Sequence, residues 1–119
     1  GTACIAKIRE ELADIYRDEV NIFDSIGPTG RIIITITAKA ATKGAALQAA
    51  CDELGIGRDE VVAFGDAEND LEMFKAAGAA VAMGQADDEV KSHADFVTLP
   101  NYEAGVGHAV DRLLAGEIL

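Results

Sequence analysis

The segment Val61-Val62-Ala63-Phe64-Gly65-Asp66-Ala67-Glu68-Asn69-Asp70 constrains the fold more than any other part of the chain. Four apolar residues in a row suit a strand buried on both faces, the pattern of parallel sheets in α/β proteins. Gly65 lets the backbone turn sharply, and Leu71, Phe74 and Ala77 then recur at helical spacing. Asp66 is therefore expected at a strand tip. Glu68, Asn69 and Asp70 are expected in the first turn of a helix, where exposed amides and the helix dipole favour negative charge and anionic ligands. Asp66 and Asp70, four residues apart, could hold a metal at the carboxyl edge of the sheet. An isolated Gly-Asp pair is better explained by helix capping, so the flanking segments have to decide.

Upstream, Thr42-Lys43-Gly44 opens an amphipathic helix with Leu47, Cys51 and Leu54 on one face. A cation at a helix start gains nothing from the dipole, and a phosphate bound nearby would explain Lys43. Downstream, Ala76-Ala77-Gly78-Ala79-Ala80-Val81-Ala82-Met83-Gly84 reads as a helix stop followed by a second buried strand of small residues.

The rest of the chain reads as alternating elements. Ile5, Ile8, Leu12 and Ile15 mark a first amphipathic helix, and residues 20–24 and 31–37 two strands joined through Gly27-Pro28-Thr29-Gly30. Beyond Met83, a short helix is expected at 87–94, a third core strand at 96–99, and a closing helix at 105–114 with Val106, Val110 and Leu113 facing inward.

With aromatics at only 5% and no tryptophan among 119 residues, small aliphatic side chains must do most of the packing. The net charge of −11, from 21 acids against 10 bases, argues against nucleic acid, whose phosphates such a surface would repel. No run approaches the ~20 apolar residues that cross a bilayer, and the amino terminus lacks the pattern of a signal peptide. No membrane association and a cytoplasmic location are the resulting expectations. Cys4 and Cys51 have no metal-binding spacing; Cys51 reads as a core thiol. His93 and His108 read as surface or structural residues. Glu68 and the run Asp87-Asp88-Glu89 are explained by helix-start electrostatics.

The order of these motifs resembles the haloacid dehalogenase superfamily of phosphatases, in its Cof-type branch with a mixed α/β cap. The resemblance is carried by Thr42-Lys43-Gly44, by the strand ending in Gly65-Asp66-x-x-Asn69-Asp70, by Ala77-Gly78-x-x-Val81-Ala82-Met83-Gly84, by Val90-Lys91-x-x-Ala94-Asp95 and by Gly105-Val106. It implies a partial Rossmann-like parallel core sheet with flanking helices, preceded by the helix and β-hairpin that end an α/β cap. Residues 1–40 would be the cap remnant and 41–119 the carboxyl-terminal half of the core. It further implies a Mg²⁺-dependent phosphatase acting on a small phosphorylated metabolite such as a sugar phosphate. Lys43 would be the catalytic lysine that neutralises the phosphoryl group, Asn69 would join it in binding phosphate, Asp66 would be the direct Mg²⁺ ligand, and Asp70 would hold the metal through water.

The departures from the family pattern are as informative. The family opens with a strand ending in Asp-x-Asp, whose first aspartate attacks phosphorus, and no such triplet occurs here. Asp24 is followed by Ser25-Ile26-Gly27 and lies where the resemblance places cap strands. No serine or threonine can be matched to the family's second phosphate-gripping motif, and Gln85 stands where the branch usually has asparagine. The chain alone is therefore expected to be inactive. It would need a complementary amino-terminal half, or self-association, to cover the strand ending near Asp66. The alternative is a non-catalytic fragment or phosphate- and Mg²⁺-binding module.

Overall fold

Isoleucine and threonine in alternation suit a hairpin with one solvated face, and they form one in the computed structural model, which describes residues 2–119. The helix α1 (Thr2–Tyr16) precedes two antiparallel strands, β1 (Val20–Ile26) and β2 (Ile32–Ala38). The ladder runs from Val20↔Ala38 to Ile26↔Ile32, two residues further along β1 than the sequence pattern suggests. The turn is closed by Gly27 N–H donating to Arg31 O at 2.8 Å and Gly30 N–H to Gly27 O at 2.9 Å, with Gly30 in the left-handed region at φ 73°. Asp24, in mid-strand, is ion-paired with Arg9 of α1. These elements make up a compact unit ending at Ala41.

A second unit comprises Thr42–Leu119. Its elements are α2 (Lys43–Leu54), β3 (Val62–Gly65), α3 (Leu71–Ala76), β4 (Ala79–Ala82), α4 (Asp88–Ser92), β5 (Phe96–Val97) and α5 (Gly105–Leu114), with 3₁₀ turns at Arg58–Glu60, Glu68–Asp70 and Asn101–Glu103. The strands form a parallel sheet in the order β3-β4-β5, with Val62↔Ala79 to Gly65↔Ala82 on one side of β4 and Val81↔Phe96 on the other. Ala63, Phe74, Ala80, Ala82, Ala86 and Val90 form the buried cluster, so alanine lets the helices lie close to the sheet where an aromatic core would hold them away. β3 is the edge strand, bonded to β4 alone among the described residues.

Element boundaries move for local reasons. Val61 closes the preceding 3₁₀ turn by donating to Arg58 O, so β3 starts one residue later than the apolar run and takes in Gly65. Asp70 ends a 3₁₀ turn ahead of α3, where the first turn of an α-helix was expected. The third core strand contracts from 96–99 to Phe96–Val97, although Thr98 N–H still donates to Ala82 O at 2.9 Å.

Two helix faces differ from the sequence reading. Leu54 is 70% exposed, because α2 ends there and Gly55 turns the chain away at φ 66°. In α5 the buried stripe is Gly105 and Ala109, while Val106 and Val110 are exposed and Leu113 is half-buried. The cause is close approach. A Cβ on Gly105 would overlap the Leu99 carbonyl oxygen and sit 3.0 Å from Met83 Cε, so only small residues fit that face. Gly105→Ala is accordingly expected to lower stability by about 1–3 kcal/mol, the usual range for an overpacked site. An unchanged urea midpoint would contradict this packing.

Among the described residues no helix is long and apolar enough to cross a membrane. Cys51 is buried and Cys4 exposed.

Candidate active site

The site is assembled by the starts of two helices meeting beyond a strand tip. The Thr42 hydroxyl accepts from Ala45 N–H at 3.0 Å and caps α2, making Lys43 its first residue. Gly44 is buried, and a Cβ there would overlap the Glu72 carbonyl, so the start of α2 packs directly on α3. Lys43 is thereby carried to the loop between β3 and α3. Its ammonium donates to Asp70 Oδ1 at 2.5 Å and to Asn69 Oδ1 at 3.3 Å.

Asp70 holds this loop together. Its side chain is only 5% exposed, and Oδ2 accepts from the backbone N–H of Asp66 at 2.9 Å and of Ala67 at 3.1 Å. A Cβ on Gly65 would lie 2.5 Å from Asp70 Cβ, so the turn closes on the carboxylate only with glycine at the strand end. Asp70 thus has three donors, two of them from the turn that presents Asp66. Lys43 thus has a carboxylate partner within the chain, which by itself accounts for a cation at the start of α2.

Lys43, Asp66 and Asp70 line one open cavity of about 300 Å³, together with Phe64, Gly65, Met83, Gln85, Asn101 and Val106. Asn69 joins the group through its bond to the Lys43 ammonium. Glu68 and Lys91 are not part of the lining. Gln85, to which the sequence assigns no role, donates from Nε2 to Asp66 Oδ2 at 2.8 Å. A signal for it exists: Gly65 pairs with Ala82, so residues just past the tips of β3 and β4 are neighbours at the carboxyl edge of the sheet.

Two carboxylates against one ammonium leave this group net negative, and a phosphate dianion would be repelled without a further cation. Among the described residues no group of three or more His, Cys, Asp and Glu side chains could hold a metal. Asp66 is exposed and Asp70 buried. Such a set does not make a closed, all-protein cage. It does fit Mg²⁺, a hard ion that takes one or two carboxylates and completes its shell with water and substrate oxygens.

Comparison with known proteins agrees with this architecture. A family model described as haloacid dehalogenase-like hydrolase matches residues 3–110, and the chain belongs to that family, in its Cof-type branch. It is 39% identical over 111 residues to a phosphoglycolate phosphatase of Methanothermobacter thermautotrophicus, covering 92% of this chain and 50% of that one. It is 43% identical over 89 residues to the 5-amino-6-(5-phospho-D-ribitylamino)uracil phosphatase YwtE of Bacillus subtilis, covering 75% of this chain and 31% of the relative. Among solved structures, the subclass IIB sugar phosphatase BT4131 superposes with a TM-score of 0.78 at 30% identity, over 91% of this chain and 40% of that one. The chain spans half or less of the length of each of these relatives.

Proposed function

We propose that this chain supplies the Mg²⁺- and phosphate-binding half of a phosphatase that hydrolyses a small phosphorylated metabolite such as a sugar phosphate. The observation that carries the reading is the convergence of Lys43, Asp66 and Asp70 on one cavity at the carboxyl edge of a parallel sheet. The relatives named above are phosphatases, one of phosphoglycolate, one of a phosphorylated ribitylaminouracil and one of sugar phosphates.

In this reading Asp66 is the direct metal ligand and Asp70 acts on the metal through water while it orients Lys43. An ammonium has three donors, and with two engaged by Asp70 and Asn69 the third remains for a phosphoryl oxygen. Asn69 sets that direction and stands beside the phosphate. A bound Mg²⁺ would supply the positive charge that offsets the phosphoryl oxygens as charge builds during transfer. The attacking aspartate lies outside these 119 residues, which contain no Asp-x-Asp. The open edge of β3 supports pairing with a complementary segment that carries it, since unpaired strand edges are adhesive. The unit ending at Ala41 is read as the end of a cap and Thr42–Leu119 as the core half.

The test is Mg²⁺-dependent hydrolysis of p-nitrophenyl phosphate, phosphoglycolate and a panel of sugar phosphates. Negligible turnover is expected from the chain alone, with activity appearing when a segment bearing an Asp-x-Asp strand is added. Robust turnover by the chain alone would overturn the split-site reading. Phosphate and Mg²⁺ binding without turnover after complementation would assign a binding module.

A further inference from the structure

The side chain of Gln85 is used at both ends. Nε2 donates to Asp66 Oδ2 at 2.8 Å, while Oε1 accepts from Asn101 N–H at 2.9 Å. The sense of the amide is forced, because a carboxylate can only accept and a backbone N–H can only donate. Gln85 is exposed, and holding a long side chain in one geometry costs rotamer freedom that surface glutamines normally keep. Its base is also fixed by backbone packing. A Cβ on the preceding Gly84 would stand 2.6 Å from Pro100 N, and Gly84 N–H donates to Leu99 O at 3.2 Å. The loop after β4 is thus pressed against the segment that begins the 3₁₀ turn Asn101–Glu103.

We propose that Gln85 is a positioning residue. It straps the Asp66 carboxylate to the Asn101 backbone, so that Oδ2 is occupied and Oδ1 is presented to a divalent cation in the cavity. The inference rests on the metal reading above and adds the group that orients the ligand. Without the strap the Asp66 side chain rotates freely at an exposed strand tip, and the cation has to order it on binding. Outer-layer partners of metal-binding carboxylates and imidazoles typically change affinity by about 10–100-fold. Asparagine, one methylene shorter, reaches only one of the two partners.

The test uses the full chain with Mn²⁺ as the probe, titrated by the paramagnetic resonance signal of the free ion. Melting temperature and amide exchange at Asn101 are followed in parallel. Gln85→Ala is expected to raise the Mn²⁺ dissociation constant about tenfold or more and to lose protection at Asn101, with little change in melting temperature. Gln85→Asn should fall between Gln85→Ala and the unaltered chain, and it carries the test if the alanine variant does not fold. If Gln85→Ala binds Mn²⁺ normally while Asp66→Ala has lost it, the strap is refuted and the metal reading stands. Wild-type-like binding by Asp66→Ala, or none by the unaltered chain, would remove the metal reading and this inference with it.

Discussion

Asp66→Ala is expected to reduce Mg²⁺-dependent turnover of the assembled phosphatase by about 10³-fold or more, equivalent to roughly 4 kcal/mol of transition-state stabilisation. The protein should remain folded. The carboxylate of Asp66 is exposed and, among the described residues, its one side-chain partner is Gln85 Nε2, whereas the backbone N–H of Asp66, retained in the variant, is what Asp70 grips. Removing the side chain therefore deletes the proposed cation ligand without dismantling the turn. Turnover measured across a Mg²⁺ series, alongside a thermal melt, separates the two effects. Activity equal to that of the unaltered assembly would exclude Asp66 as a metal ligand, and a collapsed melting temperature would mean that the carboxylate is structural.

The central features of this site are legible in sequence because they rest on short-range chemistry. An apolar run, a glycine and two aspartates within ten residues place Asp66 at a strand tip, and the register Gly65↔Ala82 found in the structure puts the next strand tip beside it. Helix α5 is expected at 105–114 and forms at Gly105–Leu114, because Gly105 and Gly116 punctuate it. Its buried face is not legible. The hydrophobic residues Val106 and Val110 point to one stripe, but the backbone of Leu99 comes so close that glycine and alanine are buried instead. The bonds of Gln85 are hidden for a related reason: both of its partners are distant in sequence, and only its place just past the tip of β4 marks it. The partner of Lys43 is intermediate. Asp70 is visible as an acid, yet its pairing with Lys43 depends on the contact of Gly44 with Glu72, which no periodicity encodes.

That pairing offers two explanations of Lys43, and one substitution separates them. If the lysine serves only to neutralise Asp70, Lys43→Ala should weaken the fold and leave turnover per folded molecule unchanged. If it also serves the phosphoryl group, turnover should fall by about 10²–10³-fold, the usual loss on deleting one charged or hydrogen-bonding group that faces developing negative charge. The second outcome is expected, with a stability change of about 1 kcal/mol or less. Lys43 is 49% exposed, so its pair with Asp70 is weakened by solvent, and the two backbone N–H donors to Asp70 Oδ2 remain after the substitution. Asp70 lines the cavity, where water can replace the ammonium. Asp70→Ala should weaken the fold as well as lower turnover. It removes the acceptor that holds the Asp66 and Ala67 amides together and is expected to cost about 3 kcal/mol, since hydrogen bonds to a charged group are worth about 1.5–3 kcal/mol each and water recovers part of the loss. Urea denaturation and kcat of the two variants in the assembled enzyme give the contrast directly. A Lys43→Ala variant that is unstable but fully active per folded molecule would confine the lysine to the turn.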